Sequence, residues 1–261
     1  MTTYPFTRAL ITGASSGIGL EIAEQLGAAK VGLVVVARRE DRLREIERRF
    51  PETEVIVADL TTPEGVKAVV DRISNPHLPE IDLVVNNAGF GTSGHMHRID
   101  PDRLSREIKL NVEALTRIMH AAVATMIPRG IGYVLNVSSV ASFQASPGLA
   151  VYSATKAYVT SLTEALHEEM RGTGVHVTAL CPGLTKTEFQ EHSNTSEFAT
   201  TFPDFAWTSA QSVAAAGLEG VAKNKAIVVP GALYKGLVAT SDITPRALAR
   251  RLSGMASSTR N

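Results

Sequence analysis

Arg8-Ala9-Leu10-Ile11-Thr12-Gly13-Ala14-Ser15-Ser16-Gly17-Ile18-Gly19 is a short apolar run that breaks into a glycine-rich turn and resumes as a helix. Arg8–Thr12 predicts a first strand. Residues 17–29 predict a helix, because Ile18, Ile22, Ala23 and Leu26 fall on one stripe at helical spacing. Glycines between a strand and a helix let the backbone turn sharply and approach a ligand closely. The free N–H groups and positive dipole end of the helix then face whatever lies above the turn. Both features suit the pyrophosphate of a dinucleotide.

Outward from this turn, short apolar runs alternate with amphipathic segments. Residues 31–37 form a valine-rich run, as expected of a strand covered on both faces. A charged helix is predicted over 41–50, a strand over 55–58 and a helix over 63–73 that begins with proline in its first turn. Strands follow at 83–86, 132–137, 175–180 and 226–229. Between them lie helical stretches at 102–126, 152–171 and 209–221. This alternation predicts an α/β chain with a parallel sheet of about seven strands and helices on both faces. No linker, repeat or low-complexity stretch divides it, so residues 1–252 are expected to form one domain. The longest irregular stretches are 138–151 and 184–208, and loops of that length in a compact domain are usually functional. Residues 253–261 are small and polar and read as a loose tail.

Composition sets bounds on function. The chain has 261 residues, enough for a sizeable core without disulfide or metal staples. Lys plus Arg and Asp plus Glu both number 26, so no global basic field exists to attract nucleic acid or an anionic membrane. The only cysteine, Cys181, can form no internal disulfide. Residues 1–8 carry no positive n-region, and no stretch of about 18 apolar residues occurs. The expectation is a cytoplasmic protein with no membrane span and no nucleic-acid partner.

The second strand ends at Ala37, followed by Arg38 and Arg39. In a dinucleotide fold this strand end faces the adenosine ribose. An acid there accepts the 2′-hydroxyl of NAD, whereas an arginine accommodates the 2′-phosphate of NADP through bidentate, charge-assisted bonds. No acid occurs until Glu40. The pattern predicts NADP(H), with NAD(H) as the alternative.

With these residues in hand, the chain resembles the short-chain dehydrogenase/reductase family in its compact, Rossmann-type, single-domain branch, along nearly its whole length. The TGxxxGxG turn of that family matches Thr12–Gly19, which places Gly13, Ser15, Ser16, Gly17, Ile18 and Gly19 at the cofactor. The resemblance implies adenine contacts at Asp59 and Leu60, and further cofactor contacts at Asn87, Ala88 and Gly89 of the Asn86-Asn87-Ala88-Gly89 motif. It implies a helix-interrupting asparagine at Asn111 that helps bind a water linking Lys156 to solvent. Ser139 would hold the substrate oxygen. The YxxxK motif is Tyr152-Ser153-Ala154-Thr155-Lys156. Pro182, Gly183, Thr185 and Thr187 match the cofactor-binding stretch after the sixth strand. The family pairs its long helices between subunits, so a homodimer or homotetramer is implied.

Tyr152 and Lys156 are four residues apart in a predicted helix and so share a face. Hydride transfer to a ketone needs a proton for the developing alkoxide. A phenol with a pKa of about 10 is a poor base near neutrality, and a nearby ammonium is expected to lower that value. The resemblance adds a bond from Lys156 to the nicotinamide ribose. Ser138 competes with Ser139 for the serine role; the spacing of Ser139 to Tyr152 is the one that matches the family. His95 and His97 flank Met96 without an evident third ligand, so no metal is expected. Cys181 reads as a buried small apolar residue.

Phe189, Phe198, Phe202, Phe205 and Trp207 fall in residues 184–208, which in this family form the lid over the substrate. Phe90, Met96, Phe143 and Leu149 come from other loops at the same end of the sheet. Together they predict an apolar pocket. The expected activity is NADP(H)-dependent interconversion of a carbonyl and an alcohol on a hydrophobic small molecule, 3-oxoacyl or steroid-like. Oxidation of a polyol or hydroxy acid is the enzymatic alternative. A non-catalytic dinucleotide sensor is the alternative of another class, opposed by the intact Ser139, Tyr152 and Lys156 set.

Overall fold

The computed structural model describes residues 4–189, 193 and 203–244. Seven strands form one sheet in the order β3-β2-β1-β4-β5-β6-β9: β1 Arg8–Thr12, β2 Gly32–Ala37, β3 Thr53–Val57, β4 Leu83–Asn86, β5 Gly132–Val137, β6 Val175–Leu180 and β9 Ile227–Val228. Every pairing in it is parallel, Leu10 lying opposite Val34 and Val84 opposite Val134. Two short strands, β7 Thr185–Lys186 and β8 Thr208–Ser209, pair separately. The helices are α1 Gly17–Ala28, α2 Glu40–Arg49, α3 Pro63–Ser74, α4 Pro101–Ile108, α5 Leu115–Met126, α6 Ala150–Glu169, α7 Ala210–Ala222 and α8 Ala232–Ile243.

Alternate residues of each strand enter opposite cores. Ile11, Leu33, Val35, Leu83 and Val85 pack with Ile22 and Leu26 of α1 and Leu218 of α7. Leu10, Val34, Val36, Val84 and Val134 pack with Val69 of α3, Ile118 and Met119 of α5 and Val159 of α6. A parallel sheet covered on both faces requires such near-continuous apolar strands. Replacing one of these fully buried leucines with alanine would cost about 2–5 kcal/mol.

A buried polar line sets α6 against the sheet. Asn86 of β4 donates to Asn136 of β5 at 2.9 Å, and Asn136 donates to Thr163 of α6 at 2.9 Å. In low dielectric, bonds of this kind hold a unique register, because a slip would break them and strand more polar groups in the core.

The strand order reverses between β1 and β4. Chain crossovers leave on opposite sides of that point, so a crevice opens at the C-terminal ends of these two strands. Gly13 follows β1 and Asn87 follows β4 at this place.

The stretch predicted as one helix over 102–126 is α4 and α5 joined by a π-helical turn, Lys109–Ala114, around Asn111. One helix lies outside the sequence expectation, α8. Its N-terminal residue Gly231 has φ +88° and provides no side-chain cap, and within residues 232–241 only Tyr234 is buried. With so little of its surface against a core, it carries no strong apolar stripe to be read.

Candidate active site

A cleft of about 710 Å³ runs along the C-terminal edge of the sheet, from Arg38 past Gly13 and Tyr152 to Leu237. At its nucleotide end, Gly13 and Gly17 have φ of +67° and +57°, a region that disfavours side chains. A Cβ on Gly13 would stand 2.8 Å from the Asn87 amide nitrogen, and one on Gly17 would touch Thr187. Thr12 and Asn87 hold this turn. The Thr12 hydroxyl accepts the N–H groups of Asn87 and Ala88, each at 3.0 Å, and the Asn87 amide donates to the Thr12 and Gly13 carbonyls.

Helix α1 begins at this turn with Ser16 as N-cap, no side-chain cap bond and no acid in its first turn. By contrast, α3 is capped by the Thr62 hydroxyl, which accepts the Gly65 N–H, and has Glu64 in its first turn. The first N–H groups of α1 therefore stay available to an outside anion, which the helix dipole favours. The glycines, the width of the cleft and these donors fit a pyrophosphate. Asp59 and Leu60 line the same end, Asp59 accepting both the N–H and the hydroxyl of Thr61.

The expected cofactor positions are not placed alike. Gly19 does not line the cleft: a Cβ there would stand 2.4 Å from both the Gly13 carbonyl and the Asn87 amide, so it serves close packing of α1 under the turn. The two arginines also differ. Arg38 is exposed, whereas Arg39 donates to the Ser15 hydroxyl and carbonyl and pairs with Glu188 at 2.8 Å.

At the middle of the cleft, Ser139 follows β5, and Tyr152 and Lys156 project from α6. The Ser139 oxygen accepts the Ala141 N–H at 3.1 Å, and its hydroxyl lies near enough to the Tyr152 phenol to favour the ionised form. Ser138 points elsewhere: it donates to the Lys156 carbonyl at 2.9 Å and meets Thr160 at 2.7 Å, inside the protein. The Lys156 ammonium donates to the Val137 carbonyl at 2.8 Å and lies 5.8 Å from the Tyr152 ring centroid.

Burial dominates the electrostatics here. It pushes the Tyr152 phenol up to about 12, with the Ser139 hydroxyl lowering it and the charge of Glu107 raising it. Burial likewise lowers Lys156 to about 8, opposed by Cys181 and Glu107. The expected depression of Tyr152 by Lys156 is thus absent from the protein alone; desolvation of the phenolate wins. Cys181 is fully buried with its thiol pushed up to about 11 by burial, which makes it inert.

Asn111 is buried and does not line the cleft. Its amide donates to the Phe90 carbonyl at 2.8 Å and to the Thr155 hydroxyl at 3.1 Å, and its oxygen accepts the Phe90 N–H at 3.2 Å. The residue therefore clamps the loop after β4 to α6. A π turn at such a site is common, because the extra residue re-aims one side chain.

Beyond Tyr152, the lining includes apolar Phe90, Leu149, Leu184, Phe189 and Leu237 and polar Arg103, Arg106, Gln144, Ser146 and Ser193. The Phe189 ring lies 5.6 Å from that of Tyr152. Among the other aromatic and apolar residues expected here, Phe143, Phe205, Trp207 and Met96 do not line the cleft, and Phe205 is 80% exposed. Phe198 and Phe202 lie outside the described residues.

Several residues at the site escape sequence reading. Glu107 is fully buried, and neither carboxylate oxygen makes a well-formed hydrogen bond. Its pKa is raised by burial, with Thr92, Arg103 and Lys156 favouring the ionised form more weakly. Its only sequence signal is its place one turn before Asn111. Tyr234, Ser193 and Arg103 reach the cleft through tertiary packing alone.

A family profile described as short chain dehydrogenase matches residues 7–197. The chain belongs to the short-chain dehydrogenase/reductase family and is an oxidoreductase of that family. An uncharacterized oxidoreductase of Staphylococcus epidermidis is 34% identical over 194 residues, covering 72% of this chain and 82% of that protein. A short-chain dehydrogenase from Sphingobium yanoikuyae, solved in complex with NADPH, is 30% identical with a TM-score of 0.79, covering 92% of this chain and 97% of that one. The bulky-bulky ketone specific alcohol dehydrogenase from Comamonas testosteroni is 30% identical with a TM-score of 0.77, covering 90% and 92%. Among the described residues, no helix is long and apolar enough to cross a membrane.

Proposed function

We propose that this protein interconverts a carbonyl and an alcohol with NADP(H), using Tyr152 as general acid and base. The observation that carries the reading is the convergence of Ser139, Tyr152 and Lys156 on one cleft with the Gly13–Ser16 turn. The bound nicotinamide supplies or accepts the hydride. Tyr152 gives a proton to the oxygen that receives it, or takes one in the reverse direction. Ser139, whose oxygen already accepts the Ala141 N–H, has its own O–H to donate to the reacting oxygen. Lys156 uses one donor on Val137, which leaves two for a ribose hydroxyl, and its positive charge stabilises the phenolate as it forms. Asn111 acts by holding Phe90 and α6 together.

Ala37, Arg38 and Arg39 at the end of β2 support a 2′-phosphate, and the neighbour from Sphingobium yanoikuyae is described with NADPH. Phe90, Leu149, Phe189 and Leu237 support a hydrophobic substrate, as does similarity to a ketone-specific dehydrogenase. Arg103 favours one second reading, a hydroxy acid. Its guanidinium lies 5.4 Å over the Phe90 ring, bonds Thr92, and lines the same cleft as Tyr152, where a cation suits a carboxylate.

The test is consumption of NADPH and of NADH by the purified protein with a long-chain 3-oxoacyl thioester, a steroid ketone, a sugar carbonyl and a 2-oxo acid. The reading expects turnover with NADPH on the first two. Faster turnover with NADH would remove the cofactor assignment, and turnover confined to the 2-oxo acid would move the substrate to the second reading.

A further inference from the structure

Arg39 and Glu188 are 149 residues apart in the chain, yet the guanidinium Nη1 donates to the Glu188 carboxylate at 2.8 Å. The same guanidinium donates through Nε and Nη2 to the Ser15 hydroxyl, at 3.2 and 3.1 Å, and through Nη2 to the Ser15 carbonyl at 3.2 Å. Ser15 belongs to the glycine-rich turn, Arg39 to the end of β2, and Glu188 to the segment that follows β7. The ion pair thus ties the segment after β7 to the glycine-rich turn at the nucleotide end of the cleft, which Ser15 and Arg39 line. Next to it, Thr187 is close enough to Gly17 that a Cβ there would meet it at 3.1 Å. The segment continues from Glu188 directly into Phe189, whose ring packs against Tyr152, and Ser193 accepts the Gly91 N–H at 3.0 Å.

We propose that Glu188 is a specificity-determining residue that competes with the 2′-phosphate of the dinucleotide for Arg39. This rests on the reading that Arg38 and Arg39 face the 2′ position of the adenosine ribose. A carboxylate and a phosphate seek the same fork of guanidinium donors, and with Nε and Nη2 held by Ser15 the two anions contend for Nη1. Close approach of two anions to one cation also costs Coulomb energy unless one of them withdraws. A dinucleotide with a bare 2′-hydroxyl leaves the Arg39–Glu188 pair in place, and the hydroxyl can donate to the carboxylate. A 2′-phosphate displaces Glu188. Glu188 therefore narrows the preference for the phosphorylated dinucleotide. Arg39 and Glu188 side chains are 37% and 40% exposed, so the pair is weak and its competition is worth a few-fold in affinity.

The experiment is calorimetric titration of the full chain with 2′,5′-ADP and with 5′-ADP, which differ only in the 2′-phosphate and do not engage the substrate end. Wild type, Glu188→Gln, Arg39→Gln and the double variant are compared at low salt. Glu188→Gln should tighten 2′,5′-ADP by about two- to five-fold and leave 5′-ADP unchanged or weaker. In the Arg39→Gln background the same change should have little effect. An unchanged or weakened affinity of Glu188→Gln for 2′,5′-ADP overturns the proposal, as does an equal gain in the Arg39→Gln background, which would mark a general charge effect. The NADP(H) reading is tested separately by wild type alone: it fails if 5′-ADP binds as tightly as 2′,5′-ADP. The competition is read from the change between wild type and Glu188→Gln, so either can fail without the other.

Discussion

The ring of Tyr234 lies directly on Gly183: a Cβ on Gly183 would stand 2.2 Å from its ring carbons. Its hydroxyl accepts the Leu184 N–H at 3.0 Å and donates to the Ala206 carbonyl at 2.7 Å. One side chain from α8 thereby fastens both Leu184 and Ala206, beside the β7 and β8 pair. Residue 183 is glycine because this ring needs the room.

Tyr234→Phe keeps the ring and removes both bonds, leaving the buried Ala206 carbonyl short of a donor. Unfolding stability should fall by about 1–3 kcal/mol. Urea titration measures it; a change within roughly 0.5 kcal/mol would mean that water replaces the hydroxyl.

Tyr152→Phe should lower turnover by at least about 100-fold, the usual cost of losing a general acid. Dinucleotide affinity should change little, because the Gly13–Ser16 turn and the β2 end are intact. A variant retaining a tenth of wild-type activity would falsify the assigned role.

The depressed Lys156 makes stability depend on pH. Its folded pKa is about 8 against the ordinary 10.5, so between these values the unfolded chain binds more protons. Stability from this group therefore rises as pH rises from 8 toward 10.5 and is lost as pH falls through 8. The full span is on the order of 3 kcal/mol. Tyr152, raised to about 12, acts in the opposite direction above pH 10, where the unfolded chain loses its proton first. Lys156→Met should be more stable than wild type at pH 7, and that advantage should shrink by pH 10. Thermal melts across this range check it; parallel pH curves for the two proteins would contradict the buried charge.

Glu107 bears on catalysis through charge. It faces Arg103 on its own helix, Thr92 on the loop after β4, and Lys156 and Tyr152 on α6, and its ionised form raises the pKa of both of the latter. Glu107→Gln should move the alkaline limb of the pH–rate profile for alcohol oxidation to lower pH. The folded Glu107 pKa is itself raised, so its ionisation costs stability as pH rises above the ordinary 4.5, a loss the Gln variant lacks. An unshifted limb would confine Glu107 to packing.

The outer face of α6 carries the 40% exposed Tyr158, whose hydroxyl meets Thr116 of α5 at 3.0 Å, and Ile108 of α4 is also exposed. These helices are the pair expected to meet between subunits. Light scattering should give a mass two or four times 27.8 kDa, and Tyr158→Glu should shift it downward. A wild-type mass near 27.8 kDa would remove the oligomer.

Much of this protein is legible in short windows of sequence. Leu83–Asn86, Gly132–Val137 and Val175–Leu180 are read to the residue, because each is a short, mainly apolar or β-branched run whose faces are largely buried. The turn from Thr12 to Gly19 and the four-residue spacing of Tyr152 and Lys156 are equally local, since a helix places i and i+4 on one face whatever surrounds it. Other features exist only once the chain is packed. The direction of the Tyr152 shift follows from how much protein displaces water around it, and spacing to a lysine cannot reveal that. Glu107 reads in sequence as an ordinary charge on a surface helix; it is buried because Arg103, Thr92 and α6 close over it. Arg39 reads as a cation at a strand end, and only the return of the chain 149 residues later brings Glu188 to it. Periodicity reports what the backbone repeats over a few residues, while desolvation and long-range pairing depend on the density and charge that distant segments bring to one place.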